Sequence, residues 1–385
     1  MSNLANCQRA VVVIGPWRKK QKEALVVMSS AAARIWLTIG VHCLFGVWTN
    51  TGYTSMNPIS HHVRTFINRS IQHNYQTDVS DGGLALAWSC VASSYLVGGT
   101  LGTCMFGSLG DRLGRKPTLM VVSGLVGILG CLMEYSAVAA NLAELLLAGR
   151  FLVGWAAGIS ILLTTFLTEC VPQSHSTVSS GAFFTSMGSI QFVASAFGLP
   201  FLLGRESLWP LTFLLPLPFV LIHMAFSLYM EESPKHLYIT RGRKRAAQKA
   251  FYFYGGREED WDRQRAHYEL ERQLGKRCRQ ASFRDIFVKR HLRWPFLICV
   301  SAGFAIPMSG CDITSFYSTD VVQTLGLEKE TAALVTVFGV FLMAVTVCAF
   351  VTFWNPMERF GRRRTCLVSC AVGVIAPGLL TLGQL

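Results

Sequence analysis

Apolar residues in this chain come in long blocks with almost no charge inside them, rather than at alternating or every-third positions. The blocks are 32–48, 84–106, 117–138, 145–167, 179–203 and 208–230, then, beyond a charged interval, 294–317, 333–354 and 366–385. A helix of about 20 apolar residues matches the hydrocarbon thickness of a bilayer. In lipid the backbone must satisfy its own hydrogen bonds, which a helix does. The pattern therefore predicts an all-α membrane protein with about nine transmembrane helices.

The polar intervals organise those blocks. GSLGDRLGRK, residues 107–116, sits between the second and third, and a worn copy, NPMERFGRRR at 355–364, sits between the last two. Glycine lets two helix ends turn tightly, and the acid and its basic neighbours can pair with each other or with a helix end. A soluble phosphate-binding loop is also glycine-rich and basic, but no strand pattern precedes these glycines and an apolar span follows them. The recurrence of charge and hydropathy reads as an internal repeat whose second unit stops halfway. The organisation expected is a cytoplasmic tail at 1–31, a six-helix bundle at 32–230 with an extracellular loop at 49–82, a cytoplasmic helical linker at 231–293, and a truncated bundle of three helices at 294–385. Whether the chain is a whole protein or part of one stays open.

Composition sharpens the class. Of the 385 residues 51% are hydrophobic, and the formal charge is +13. That charge sits between spans, where the surface-loop bias of membrane proteins places it, so it argues for a lipid bilayer and not nucleic acid as partner. The plasma membrane with an inward N-terminus is the expected setting. Twelve cysteines are scattered without metal-ligand spacing, and Cys43, Cys90, Cys104, Cys131, Cys299 and Cys348 read as small apolar packing residues. No catalytic arrangement, metal constellation or nucleotide loop points to an enzyme, and no cofactor is expected. Asn68, Arg69 and Ser70 form a glycosylation sequon in the loop placed outside, where His61 and His62 read as solvated. Gly98 and Gly102 in the second block permit close approach of a neighbouring helix. Oligomeric state is not encoded in any of these patterns.

Taken in order, GSLGDRLGRK, GRFLVG from Gly149, LWPL at 208–211, EESPKHL at 231–237, SGCDITSFYST at 309–319 and ERFGRRR at 358–364 resemble the landmarks of the sugar-porter family, which includes the facilitative glucose transporters, within the major facilitator superfamily. The resemblance implies the major facilitator fold: two six-helix bundles rocking about a central site, of which this chain would carry the first and half of the second. It also implies facilitative, alternating-access transport of a hexose or similar small polar solute. The charged positions that match the family's inner gate are Asp111, Arg112, Arg115, Lys116, Arg150, Glu169, Glu232, Glu358, Arg362 and Arg363. They read either as a latch whose ion pairs form and break with the transport cycle or as arginines that only fix topology.

The departures concern the pocket. Where the family supplies sugar-binding glutamines and asparagines, this chain has Phe184, Ile306, Pro307, Asp312 and Thr346, with Tyr317 nearby; Ser176 stands for an expected arginine, and Thr164 and Phe166 for a proline and a tyrosine. A site built for hydroxyl recognition discriminates sharply once its partners are lost, so weak hexose affinity is expected. Asp312 at membrane depth suggests a cation, proton or polar-substrate contact, or else a hydrated crevice or a local pair. Two further readings follow: a transporter-like binding or regulatory protein that moves nothing, and a facilitator for organic ions.

Overall fold

A computed structural model of the chain describes residues 32–172, 176–277, 283–308, 318–319, 321–323, 326–349, 360–361, 363–365, 367–368 and 371–372. Every regular element among these is helical. Six helices are long and apolar enough to cross a membrane: α1 (Ala32–Gly52), α3 (Asp81–Leu113), α4 (Pro117–Ala140), the run Ala143–Cys170, α8 (Trp209–Phe226) and Glu330–Ala349. The fourth of these is two pieces, α5 (Ala143–Ala157) and α6 (Ser160–Cys170). α7 (Ser176–Phe197) and α13 (Arg290–Met308) occupy the predicted fifth and seventh spans, and α14 (Lys329–Ala349) the eighth. Most of the predicted ninth, 366–385, and most of the second basic loop lie outside the described residues.

Large side chains such as Leu101, Leu125, Ile161, Leu228, Ile298 and Phe338 point outward, which in water would be a liability and in lipid is the favourable arrangement. The inside is held by backbone proximity. A side chain at Gly98 would meet the Phe151 carbonyl oxygen at 2.1 Å, and one at Gly154 would meet that of Tyr95 at 2.0 Å. α3 and α5 thus cross at a distance that only glycine permits, as expected for Gly98 and Gly102.

The stretch 49–82 differs from the loop expected there. α1 tightens into a 3-10 turn at Trp48–Tyr53, and α2 (Ser60–Tyr75) then buries Val63, Phe66 and Ile67 against Trp88, Leu146 and Trp209. The high polarity of α2 hid that apolar stripe. His62 is not a solvated loop residue: its Nε2 donates to the Gly204 carbonyl at 3.1 Å while its ring stacks on Trp209. The sequon falls mid-helix, with Asn68 half-buried and Ser70 buried, its hydroxyl donating to Asn141 O at 2.8 Å.

Between α8 and α13 lies a charged helical layer: α9 (Pro234–Ile239), α10 (Lys244–Phe253), α11 (Glu258–Arg277) and α12 (Phe283–Val288). Its first three helices enclose a small core of Leu237, Tyr238, Ala247, Ala250, Trp261 and Tyr268. The layer therefore packs as a unit under the bundle and is not a loose connector.

Candidate functional site

The basic loop is made by the end of α3. Gly114 stops that helix at φ +118° and ψ 157°, a backbone region essentially closed to residues with a Cβ. The turn points Arg115 inward, where its guanidinium spreads over four partners. Nε donates to Glu169 Oε2 at 3.2 Å; Nη1 lies 2.9 Å from Asp111 Oδ1, 3.2 Å from Gly110 O and 2.7 Å from His236 Nδ1. A planar fork of donors serves several acceptors at once, which a lysine ammonium cannot do in one fixed geometry.

α9 closes the cluster from below. Ser233 caps it by accepting from the His236 amide at 3.2 Å, with Pro234 at the first helical position where a missing N–H costs nothing. The same hydroxyl donates to Glu169 Oε2 at 2.6 Å. Glu232 accepts from the amides of Lys116 at 3.1 Å and Ser233 at 2.8 Å. Burial pushes the Glu232 carboxyl up, opposed by those amides and by Arg115. His236 is lowered to about 4 by burial and by the Arg115 and Arg241 charges, so its Nδ1 stays an acceptor. Arg241 donates to the Arg112 and Leu113 carbonyls at 2.7 and 3.0 Å, and the Tyr254 hydroxyl to Glu231 O.

Of the ten expected gate residues, Asp111, Arg115, Lys116, Glu169 and Glu232 meet here, Lys116 through its backbone; Arg112 lends a carbonyl. Arg363 is exposed, and Glu358 and Arg362 lie outside the described residues. Arg150 does not belong to this cluster. It sits in the middle of α5, about 28 Å from Glu169 at the helical rise per residue, and pairs with Glu134 at 3.8 Å. The family motif grouped it with the gate, but its position along the span carries it into the interior, away from that cluster. Ser233, His236 and Arg241 were missed, although a serine before proline is a readable helix start.

At the end away from the basic loop the two halves of the chain also touch. Asn57, just beyond the α1 turn, donates through Nδ2 to Ser318 Oγ and accepts from the Thr319 amide at 3.3 Å. Thr319 Oγ1 donates to Thr336 Oγ1 at 3.3 Å, and Leu199 packs on Ala333 and Val337. No sequence signal marked Asn57.

The pocket candidates are partly visible. Phe184 on α7 is 58% exposed and edge-on to Phe183. Thr346 on α14 is exposed, its hydroxyl donating to Leu342 O at 2.7 Å. α7 and α14 cross where Gly188 faces Ala344 and Phe192 meets Phe341; Phe184 and Thr346 both lie on the basic-loop side of that crossing. Ile306 and Pro307 are in the last turn of α13, and Asp312 and Tyr317 lie outside the described residues.

The family model "Sugar (and other) transporter" matches residues 40–384. The chain belongs to that family. Among its relatives, facilitated glucose transporter member 1 of chicken is 28% identical over 89% of this chain, and member 9 of mouse 26% over 85%. The chain spans 69% and 60% of those relatives' lengths, respectively. The proton:xylose symporter XylE bound to 6-bromo-6-deoxy-D-glucose superimposes with TM-score 0.70 at 15% identity, covering 84% of this chain and 69% of that one. That likeness assigns the major facilitator fold. The chain is an integral, multi-pass membrane protein of a transporter family, and the relatives named are transporters rather than enzymes, as expected from the absence of a catalytic motif.

Proposed function

We propose that this sugar-transporter family member moves a hexose or similar small polar solute across a membrane by alternating access, with the basic-loop end in the cytoplasm and the plasma membrane as its site. The observation that carries the reading is the pairing of two unlike ends. The inner cluster ties α3, α6 and α9 together through charged hydrogen bonds, and the outer contact between Asn57 and residues 318–319 rests on a few neutral hydrogen bonds. Bonds of that kind are each worth about 0.5–1.5 kcal/mol net, an amount solute binding can supply and reverse.

The pocket is less polar than a hexose prefers. Phe184 offers a face to a sugar ring but no acceptor for a hydroxyl, and the Thr346 hydroxyl already has a backbone partner. Weak affinity for hexoses follows, together with tolerance of less hydroxylated solutes. Uptake of labelled hexose into proteoliposomes holding the full chain is expected to saturate, with Phe184→Gln lowering the half-saturating concentration. Uptake no greater than in empty liposomes overturns the proposal. Orientation is tested separately by tags placed before Trp17 and beside Asn68, probed from outside sealed cells: only the second is expected to respond.

A further inference from the structure

Helices α1 and α8 meet through two histidines that the charged clusters leave out. His42 Nδ1 lies 3.0 Å from His223 Nε2, and both residues are buried, at 0% and 5% exposure. The rings stand edge to face with centroids 5.2 Å apart, and the His42 ring is also edge-on to Phe166 of α6 at 5.0 Å. Gly46, one turn on from His42, lets His223 reach α1: a side chain there would come within 3.2 Å of its Nε2 and 3.3 Å of its Cε1. The rest of the seam is aromatic, with Trp48 stacked on Phe219 at 3.5 Å and Phe45 beside Phe219 and Phe226.

Two ring nitrogens at this distance bond only when one carries a proton and the other a lone pair. His42 Nε2 is buried and has no partner among the described residues. A bare lone pair is better tolerated than a bare N–H, which assigns His42 Nδ1 as donor and His223 Nε2 as acceptor. A further proton has two places to go. On His223 Nε2 it would face the His42 N–H and break the bond; on His42 Nε2 it would make a cation with nothing to accept from it. Among the described residues no carboxylate, lysine or arginine acts on either ring. The titratable neighbours in this core are Cys43, whose thiol bonds to Ser186 of α7, Cys170 of α6 and Tyr254, which is edge-on to Phe166. Thiols and a phenol supply no counter-charge. Such a cation is tolerated only where water reaches it, so the pair charges when α1 and α8 part. We propose that His42 and His223 form an acid-sensitive lock between α1 and α8, which holds α1 in place in neutral medium and releases it in acid, slowing transport. The link to transport rests on the reading above. A hydrated histidine titrates near about pH 6.5, so at about pH 5.5 the parted form gains about tenfold in weight for each ring and about 100-fold for both. The turn that ends α1 carries Asn50, which donates to Ser160 Oγ at 3.2 Å, and beyond it Asn57, which holds residues 318–319; release of α1 disturbs both contacts.

The test has two arms on the full chain. In nanodiscs, 4,4′-dithiodipyridine, a thiol reagent that works in acid as in neutral medium, is followed at the buried Cys43 by mass spectrometry, each rate divided by that of the unfolded chain at the same pH. Between about pH 7.5 and about pH 5.5 this ratio is expected to rise up to about 100-fold in the natural sequence, about tenfold in His42→Gln or His223→Gln, and not at all in the double variant. In proteoliposomes with equal pH on both sides, exchange of D-glucose is expected to slow over the same range in the natural sequence and to stay level in the double variant. A level ratio at Cys43 in the natural sequence overturns the proposal whether or not the variants fold, and so does an equal rise in the double variant. Exchange that ignores pH while Cys43 opens overturns the link to transport. If D-glucose moves at no pH, the transporter reading has failed, and the Cys43 arm still decides whether the histidines lock the two helices.

Discussion

Replacing Gly114 by alanine isolates how the inner cluster is built. The residue sits at φ +118° and ψ 157°, and holding a Cβ-bearing residue in that region costs about 1–3 kcal/mol. The added methyl would also fall 2.3 Å from Glu232 Oε2 and 3.3 Å from Pro117 Cδ. The carboxylate has to withdraw, and it is the acceptor for the Lys116 and Ser233 amides. Losing one hydrogen bond to a charged group adds about 1.5–3 kcal/mol, for a total of about 2.5–6 kcal/mol. Two glycines of the same motif are internal controls. Gly107 has open space around its Cβ position, so Gly107→Ala should be neutral or gain about 0.5–1 kcal/mol from helix propensity. At Gly110 the methyl meets the flexible tip of Leu162 at 2.7 Å, so Gly110→Ala should cost about 1–2 kcal/mol. Reversible unfolding of detergent-solubilised protein, followed by circular dichroism, should rank the three in the order 107, 110, 114. Gly114→Ala as benign as Gly107→Ala would refute the claim that turn geometry and the Glu232 contact fix this loop.

Arg115→Lys keeps the charge but loses the fork, and should cost about 1–2 kcal/mol in the same assay; a double-mutant cycle of Arg115→Gln with Glu169→Gln should show coupling of about 1–3 kcal/mol, and additive effects would rule out the direct pair. His236 has a folded pKa of about 4, below its ordinary value, so the stability it contributes is complete above about pH 6.5 and is lost as the pH falls towards 4. Glu232, pushed up by burial, works the other way, gaining stability on acidification. The difference between the natural sequence and His236→Gln therefore isolates the histidine, and identical acid limbs would exclude it. Asn57→Ala removes both bonds to residues 318–319, worth about 1–3 kcal/mol together and so roughly a 5- to 150-fold shift towards an open outer end. A cysteine placed at the buried Ala333 should react faster with an impermeant maleimide in that background, and an unchanged rate would deny Asn57 a gating role.

The spans were legible because lipid imposes one rule on every residue of a crossing helix, and that rule shows as uncharged length. The basic motif was legible for a similar reason: glycine and charge at a short turn are local chemistry. α2 was not, since its buried stripe of Val63, Phe66 and Ile67 is diluted by His61, Arg64, Asn68 and Arg69 on the faces between. Arg150 was grouped with the loop charges because a motif states residue types without stating how deep along its helix each one lies, and the structure places it in the interior beside Glu134. His236 and Asn57 matter only through partners more than a hundred positions away, and no pattern along the chain records such a partner.

What the sequence determined by itself was the long apolar helices seen among the described residues and the loop that carries the charge. Each depends on a residue and its immediate neighbours meeting lipid or water. The tertiary structure decided which polar groups meet: Arg115 with Glu169 and His236 at one end, Glu134 with Arg150 in the interior, and Asn57 across the two halves at the other. Those pairings depend on how helices turn and approach, where a glycine at 98, 114 or 154 sets distances that no single residue's polarity can express.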